Sequence, residues 1–430
     1  MAKTSGSNGA TAFAAAPGAL QGVRVIDLTS VMMGPAATQT LCDMGADVIK
    51  VEAPEGDIIR RIGPARHAGM GAIFLQNNRG KRSLVLDLKR PGARECILAL
   101  ARTADMLVYN VRPQAMARLN LAYEDLRAAN PRIVYAGLFG YDQNGPYADR
   151  PAYDDLIQSL VALPTLAVMA GADRPRFVPI ALADRYVAAV GVGAMVAALF
   201  HAHKTGEGQR LDITMFEAMA QLVLSDHAGG RSFEPPLGPP GYKRTLSRER
   251  MPYPTRDGHI SVLAYTDAHW RTLFRLIGRP DLPDSDPRFA DMTQRTLYID
   301  ELYLLLAGAM LGRGTSEWLE ALRAADIPCA PLNTLDSLMD DPHLAAIGFF
   351  QLVEHPSEGP LRMLGMPTAW SRTPVASRGH APRLGQHSVE VLREAGCSAQ
   401  DIARMLAVGT TLDGNAQGDS GNLIRTRRQS

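Results

Sequence analysis

The chain has 430 residues, of which 46% are hydrophobic and 21% charged, and its formal net charge at pH 7 is +1. This composition is typical of a soluble globular protein with more than one hydrophobic core, and the balanced charge argues against nucleic acid as a partner. The four cysteines stand far apart without a Cys-x-x-Cys spacing, which argues against a disulfide framework and a zinc site and favours a cytoplasmic protein.

The first part of the chain has the pattern of an α/β domain. Residues 1–20 lack the dense apolar segment of a signal peptide, so we expect a disordered leader there. Over residues 21–222, short β-type runs alternate with helical patterns, which predicts a large α/β domain with a parallel sheet. The expected strands are VRVIDL, ADVIKVE, SLVLDL, DMLVYN and RIVYAGL.

Asp184 stands in front of residues 186–200, a segment that carries no charge. The segment is shorter than the roughly 20 residues of a membrane-crossing helix, and it contains Gly191 and Gly193, so we expect a buried, closely packed helix. Two roles are open for an acid at the start of such a helix. It is either an N-cap that accepts hydrogen bonds from free amides, or a poorly solvated carboxylate that the same amides keep ionised for nucleophilic attack.

The composition changes after residue 222, where Pro, Gly and Arg become frequent and periodicity is lost. A strand HISVLAY and three amphipathic helical patterns follow, which predicts a smaller α+β domain. The expected divisions are a linker at 223–256, the small domain at 257–326, a second linker at 327–346, a return to the large domain at 347–407 and a disordered tail at 408–430.

Common catalytic motifs are missing from the sequence. There is no Gly-x-Gly-x-x-Gly, no phosphate-binding Gly-x-x-x-x-Gly-Lys, no His-Glu-x-x-His and no Gly-x-Ser-x-Gly. His201 and His203 lie near a predicted helix end, where they favour the negative end of the dipole; their spacing points the rings to different faces. We therefore expect no metal site.

The chain resembles the family III coenzyme A transferases, which include formyl-CoA transferase and the carnitine CoA-transferases, over nearly all of residues 20–405. The resemblance is carried by an ordered series of segments, among them LQGVRVIDLTSVMMGP, LCDMGADVIKVEAPEGD, NRGKRSLVLDLKRPGARE, ADMLVYNVRPQAMARLNL, RPAYDDLIQS, ALADRYVAAVGVGAMVAAL and KTGEGQRLDITMFEA. It implies a Rossmann-like large domain, a smaller α+β domain and an interlocked homodimer. It also implies that the enzyme moves CoA from an acyl-CoA donor to a free carboxylic acid.

By this resemblance Asp184 is the nucleophile, which forms an aspartyl anhydride and then an aspartyl-CoA thioester. Tyr153 and Asp154 match residues beside the family's active site. Acyl-CoA is a substrate, and no tightly bound cofactor is implied. The implied CoA contacts are Val31, Leu86, Lys89, Asn110, Val111, Arg118, Leu119 and Met215.

This sequence departs from the family pattern at several places. Ala53 stands where the family has a phosphate-side arginine, and Pro151 where it has a lysine. Arg60, Arg61 and Arg79 are candidates to replace the missing positive charge. The family's glycine-rich loop has no counterpart near LGPPGYKRT, where Tyr242, Lys243 and Arg244 are candidate contacts for a second carboxylate of the acceptor.

Two alternatives to CoA transfer stay open at this point. One is an isomerase like α-methylacyl-CoA racemase, which requires a histidine where this chain has RPAYDD. The other is a CoA-binding protein without catalysis, which has no need of an acid beside the thioester. Membranes and nucleic acids are not expected as partners.

Overall fold

The structure is a computed structural model that describes residues 18–416. The predicted leader lies outside these residues except at 18–20, and so does the predicted tail except at 408–416. The described chain forms two compact units. The first contains the residues up to Ile157, Ile180–Met219 and the residues from Pro342 onward, and the second contains Gln158–Pro179 and Ala220–Asp341.

A parallel six-stranded sheet forms the centre of the first unit, with the strand order β3-β2-β1-β4-β5-β6. The order reverses between β1 and β4, as in doubly wound Rossmann folds. The predicted α/β domain and its five strands are confirmed, and a sixth strand was missed. The strands are β1 (Arg24–Leu28), β2 (Asp47–Glu52), β3 (Arg82–Val85), β4 (Met106–Tyr109), β5 (Val134–Phe139) and β6 (Arg210–Thr214).

Helices cover both faces of this sheet, which is why its central strands are apolar on both sides. Ile26, Ile49 and Leu107 on three neighbouring strands have no exposed surface. The helices of this half of the chain are α1 (Met33–Asp43), α2 (Ala72–Asn77), α3 (Ala93–Ala101), α4 (Pro113–Arg118), α5 (Tyr123–Ala129), α6 (Asp154–Leu160), α7 (Leu163–Met169), α8 (Leu182–Thr205) and α9 (Met215–His227).

Helix α8 is buried along one part of its surface, whereas the sequence predicted a buried, closely packed helix. It has 24 residues, and Val187 and Met195 are buried, whereas Val190 is 41% and Phe200 is 68% exposed. Among residues 18–416 it is the one helix long and apolar enough to cross a membrane, a property that core helices of soluble proteins share. The sequence did not reveal the exposed face because Ala, Gly, Val and Phe occupy both sides of the helix.

The second unit combines a small antiparallel sheet with helices, as predicted for the α+β region. Its strands are β7 (Tyr253–Pro254), β8 (His259–Val262) and β9 (Cys329–Pro331), in that order. Trp270, Phe274 and Trp318 lie in its hydrophobic core. Its helices from this region are α10 (Asp267–Leu276), α11 (Leu282–Ser285), α12 (Met292–Leu297), α13 (Ile299–Met310), α14 (Thr315–Ala324) and α15 (Leu335–Met339).

The C-terminal part of the described chain packs in the first unit. It contains α16 (Pro342–Ala346), the antiparallel strands β10 (Phe350–His355) and β11 (Gly359–Leu364), and helices α17 (Ser388–Glu394) and α18 (Ala399–Ala407). Val391 and Ile402 belong to the same apolar core as Ile26.

The prediction of a disordered tail from residue 408 is wrong for residues 408–416. Thr411 Oγ1 donates a hydrogen bond of 2.6 Å to the Val85 carbonyl, and the side chains of Thr410 and Thr411 are completely buried. This contact covers the Val85 carbonyl at the end of β3, an edge strand of the sheet. The polar composition of these residues predicts disorder. The sequence does not reveal that their hydrogen-bond partner, Val85, lies more than 300 residues away.

Candidate active site

Two cavities lie where the chain leaves the strands of the parallel sheet, the usual ligand position in doubly wound folds. The first, here called the Asp184 cavity, has a volume of 340 Å³ and is lined by Asp184 together with residues that follow β1, β4, β5 and β6. The predicted residues Val31, Asn110, Tyr153 and Met215 all line it.

The second cavity, here called the Lys89 cavity, has a volume of 850 Å³ and follows β1, β2, β3 and β4. Ser30 lines both cavities. The predicted CoA contacts are therefore divided between two adjoining spaces. Those in the Lys89 cavity are Leu86, Lys89, Val111, Arg118 and Leu119.

The loop after β1 is held in place by polar contacts on both sides. Ser30 and Asn110 exchange two hydrogen bonds, from Ser30 N to Asn110 Oδ1 at 3.1 Å and from Asn110 Nδ2 to Ser30 O at 2.8 Å. They join the chain after β1 to the chain after β4 at the point where the strand order reverses. The asparagine that we predicted as a CoA contact thus also fixes the wall between the cavities.

Val31 has a φ of 71°, a left-handed conformation that is rare and strained for a β-branched residue. Its N–H donates to Asp57 Oδ1 at 3.1 Å. Asp57 in turn forms a buried ion pair of 2.9 Å with Lys50, whose ammonium also donates to the Thr29 carbonyl. A buried ion pair therefore maintains the conformation of Val31 beside the nucleophile candidate.

Asp184 is the third residue of α8, and it does not cap this helix. The N-cap position belongs to Ala181, which has no side chain able to accept a hydrogen bond. The carboxylate of Asp184 instead accepts a hydrogen bond from the backbone N–H of Met33, the first residue of α1. The N-cap reading is wrong, and the stabilising amide comes from a different helix than expected.

Close packing brings the start of α1 next to the residue that follows β1, Thr29. A Cβ added at Gly34 would lie 2.2 Å from Thr29 Cβ, so a larger residue at this position would push the first turn away. The missing side chain of Gly34 therefore helps to keep the Met33 N–H within reach of Asp184.

Burial raises the pKa of Asp184 to about 6, and the nearby negative charge of Asp154 adds to this effect. The Met33 N–H and the positive charge of Arg185 act in the opposite direction. A carboxyl group with this pKa has roughly ten carboxylates per carboxylic acid at pH 7. Asp184 is therefore ionised at neutral pH although it is poorly solvated, and it is more basic than an exposed aspartate.

The second predicted acid, Asp154, contacts Asp184 through the backbone. Asp154 Oδ1 accepts a hydrogen bond of 3.1 Å from the Asp184 N–H, one of the first-turn amides of α8 that has no partner within the helix. Asp154 thus binds the N-terminus of α8 and places a second negative charge near Asp184. Tyr153, its neighbour, is 68% exposed at the cavity.

Lys89 and Arg118 give the Lys89 cavity its positive charge. Neither forms an ion pair with any residue of the described part of the chain. Ala53 lines the same cavity without contributing charge. The hypothesis that Arg60 or Arg79 replaces the missing phosphate-side arginine is wrong. Both form buried ion pairs, Arg60 with Glu52 at 2.7 Å and Arg79 with Asp43 at 2.5 Å.

Two arginines that the sequence did not single out also line the Asp184 cavity, Arg112 and Arg150. Arg112 is the third residue after β4, and Arg150 precedes α6. Both arginines precede a proline within segments that carry the family resemblance, ADMLVYNVRPQAMARLNL and RPAYDDLIQS, but their convergence depends on the fold. Met33 was missed for a similar reason, because its contribution is a backbone N–H.

The second unit has a cavity of its own with a volume of 740 Å³, lined by Arg244, Tyr265 and Tyr303 among others. Of the three residues considered for a second carboxylate, only Arg244 lines it. The Lys243 ammonium donates to the Leu297 carbonyl, and Tyr242 is not part of the cavity lining.

Comparison with known proteins identifies relatives along most of the chain. Residues 20–388 match the family model of CoA-transferase family III. The chain is 33% identical to the succinate–glutarate CoA-transferase of Agrobacterium fabrum, over 87% of this chain and 95% of that protein. It is also 33% identical to the succinyl-CoA:mesaconate CoA-transferase of Haloarcula hispanica, over 88% of this chain and 97% of that protein. A crystal structure of an aspartate-to-alanine mutant of Rv3272 from Mycobacterium tuberculosis superposes with a TM-score of 0.76 at 30% identity, over 87% of this chain and 98% of that one.

Proposed function

Because this chain belongs to CoA-transferase family III and is an enzyme that transfers CoA from an acyl-CoA to a carboxylic acid, we propose that Asp184 carries the transfer through covalent intermediates. The observation that carries this proposal is the position of the Asp184 carboxylate. It lines a cavity at the carboxyl ends of the sheet, accepts a hydrogen bond from the start of α1 and has a pKa of about 6. This combination gives an ionised, poorly solvated oxygen nucleophile without a partner base.

The first half of the cycle consumes the donor. An Asp184 carboxylate oxygen attacks the thioester carbonyl, the carbon–sulfur bond breaks, and CoA leaves as a thiolate beside an aspartyl anhydride. The thiolate then attacks the aspartyl carbonyl carbon, and the donor acid leaves as a carboxylate. The product of these two steps is an aspartyl-CoA thioester on Asp184.

The second half repeats these steps in reverse with the acceptor. The acceptor carboxylate attacks the aspartyl thioester, which regenerates an anhydride and free thiolate. The thiolate then attacks the acceptor's carbonyl carbon, so that acyl-CoA forms and Asp184 is released as a carboxylate. No proton has to be transferred in any of the four steps, so the mechanism needs no acid–base partner for Asp184.

We place the phosphate groups of CoA in the Lys89 cavity. Lys89 and Arg118 offer two cations without carboxylate partners among the described residues, as phosphate groups require. Because Ser30 lines both cavities, the two spaces adjoin, and a CoA molecule whose phosphates lie near Lys89 would extend its thioester arm towards Asp184.

Proton exchange at the α-carbon of an acyl-CoA receives no support from the cavity. Such an isomerase needs a second acid–base group opposite Asp184. No histidine lines the Asp184 cavity in the described part of the chain. Transfer through Asp184 needs no such group.

The test compares wild-type enzyme with Asp184→Asn and with Asp226→Asn, an exposed aspartate on α9. Succinyl-CoA and short acyl-CoAs are incubated with a panel of free acids, and new acyl-CoAs are detected by mass spectrometry. We expect Asp184→Asn to lose at least about a thousandfold in turnover, as for removal of a catalytic nucleophile, while it binds CoA with unchanged affinity. Turnover that survives in Asp184→Asn would refute the role of this residue.

A homodimer is part of the same proposal. Its support is the apolar face of α8, where Val190 and Phe200 are exposed in the single chain. Light scattering should give twice the mass of one chain, and Phe200→Asp should shift the protein towards monomer. A wild-type protein that stays monomeric at micromolar concentration would refute the dimer.

A further inference from the structure

We propose that Cys96 and Cys397 form a reversible disulfide under oxidising conditions, which fastens the turn between α17 and α18 to α3. The two residues are 301 positions apart in the sequence, and the fold brings their sulfur atoms to 3.4 Å from each other. All four cysteines of the chain carry free thiols. The proposed site is separate from the Asp184 cavity and does not depend on the transfer mechanism.

The backbone on both sides of the sulfur pair is held in place. Cys96 lies within α3, where it is 4% exposed and belongs to the apolar core of the first unit. Cys397 follows α17, and its N–H donates to the Leu392 carbonyl at 3.0 Å. The next residue, Ser398, caps α18 by accepting a hydrogen bond of 3.1 Å from the Asp401 N–H. The two sulfur atoms are therefore kept opposite each other by helices that are fixed at this point.

The distance between the sulfur atoms is short enough for a bond to form by side-chain rotation. A disulfide bond is about 2.05 Å long, so the sulfur atoms have to approach by about 1.4 Å. Cys397 is half-buried, and its neighbours Gly396 and Ser398 are exposed. The side chain of Cys397 thus has room for this movement while the core around Cys96 stays in place.

The surroundings of the two thiols define which of them reacts first. Burial raises the pKa of the Cys96 thiol, and the neighbouring Cys397 adds to this effect. Cys96 is therefore a thiol at neutral pH and is shielded from solvent, which makes it a poor first nucleophile. Cys397 lies in a surface turn that a small oxidant reaches, so we assign the first step to Cys397 and the second to Cys96.

The oxidant is a hydroperoxide. The Cys397 sulfur attacks the peroxide, the oxygen–oxygen bond breaks, and a sulfenic acid forms on Cys397 while an alcohol leaves, or water if the oxidant is hydrogen peroxide. The Cys96 sulfur then attacks the Cys397 sulfur, the sulfur–oxygen bond breaks, and the hydroxide leaves as water together with the thiol proton of Cys96. Two thiols are oxidised to one disulfide, and one peroxide is reduced.

The disulfide would join two segments that flank the loop carrying Lys89. This loop begins after β3, where the Asp87 N–H donates to the Thr410 carbonyl at 2.8 Å. It ends at α3, the helix that contains Cys96. A covalent bond would thus strengthen an attachment that otherwise consists of hydrogen bonds and apolar packing, and local opening of the C-terminal helices should become rarer.

The test uses the full-length wild-type protein, Cys397→Ser, Cys96→Ala and, as a control, Cys329→Ser, which changes a half-buried cysteine of the second unit. Each protein is treated with hydrogen peroxide, its remaining thiols are blocked with iodoacetamide, and it is digested with trypsin. Wild type and Cys329→Ser should yield the peptides of residues 95–102, ECILALAR, and 394–404, EAGCSAQDIAR, as a cross-linked pair that dithiothreitol separates.

Oxidation should also raise the Tm of wild type and of Cys329→Ser by about 3–7 °C, because a bond between residues so distant in sequence restricts the unfolded chain. Dithiothreitol should reverse the rise. Cys397→Ser and Cys96→Ala should show no rise after peroxide. Cys397→Ser is the decisive variant, because it changes a surface turn and leaves the apolar core intact.

Two results would overturn the proposal. One is peroxide treatment that takes Cys397 to a sulfinic acid, or leaves it reduced, without producing the cross-linked peptides; the two cysteines would then serve packing alone. The other is a rise in Tm that Cys397→Ser retains, since the stabilisation would then come from a different oxidation.

Discussion

Asp184→Asn should make the protein more stable at neutral pH, although it should abolish transfer. Burial and the charge of Asp154 raise the pKa of Asp184 from its ordinary 3.8 to about 6 in the folded protein. Ionised Asp184 is therefore less favourable in the folded state than in the unfolded chain. Asparagine has nearly the same shape, can still accept from the Met33 N–H and carries no charge.

The magnitude follows from the two pKa values. Each pKa unit corresponds to about 1.4 kcal/mol, so ionisation of Asp184 costs the folded state roughly 3 kcal/mol at pH 7. Below pH 3.8 Asp184 is protonated in both the folded and the unfolded state, and the wild-type protein keeps its full free energy of unfolding. Because the pKa is raised in the folded state, this stability is lost as the pH rises through about 6. The advantage of Asp184→Asn should thus be full at pH 7 and fall below about 1 kcal/mol at pH 4.

Differential scanning calorimetry at both pH values measures this advantage. The entropy of unfolding per residue converts 3 kcal/mol into a rise in Tm of about 3–5 °C, depending on whether one or both units unfold in the transition. Asp226→Asn should leave Tm unchanged at both pH values. An Asp184→Asn protein that gains nothing at pH 7, or gains as much at pH 4, would refute a strained, ionised carboxylate at this position.

Other substitutions test the remaining parts of the site. Asp154→Asn should move the acidic limb of the kcat/KM profile to lower pH by on the order of one unit, because the charge that raises the pKa of Asp184 is removed while burial stays; an unchanged limb would contradict this. Asp57→Asn should reduce the free energy of unfolding by about 3–5 kcal/mol, because Lys50 is left buried without its ion-pair partner. A loss below about 1 kcal/mol in urea titrations would contradict a stabilising role of this ion pair. Arg118→Gln should raise KM for acyl-CoA severalfold at unchanged kcat and weaken its dependence on salt; a KM equal to that of wild type would place the phosphates elsewhere.

The sequence predicted those parts of the fold whose signal is local. Strands β1 to β5 were recognised because strands of a covered parallel sheet are continuous apolar runs. Strand β6, with Arg210 and Asp212, was missed because it is the last strand of the sheet and exposes polar side chains. The tail at residues 408–416 was misjudged because its hydrogen-bond partner, Val85, is distant in sequence.

The candidate site was predicted as a set of residues but not as an arrangement. Resemblance supplied Asp184, Tyr153 and the predicted CoA contacts, all of which line one of the two cavities. The amide of Met33, the left-handed Val31 and the guanidiniums of Arg112 and Arg150 depend on how loops from different strands meet. Single-sequence patterns carry no information on which exposed arginines face a common cavity.

The most direct measurement of the central claim uses the tryptic peptide of residues 177–185, FVPIALADR, in which Asp184 is the only side-chain carboxyl group. The enzyme is mixed with acyl-CoA in the absence of an acceptor, quenched in acid, digested and analysed by mass spectrometry. Covalent transfer through Asp184 predicts a CoA thioester on this peptide, which hydroxylamine converts to the hydroxamate. An enzyme that transfers CoA while this peptide stays unmodified at every time point would contradict the mechanism.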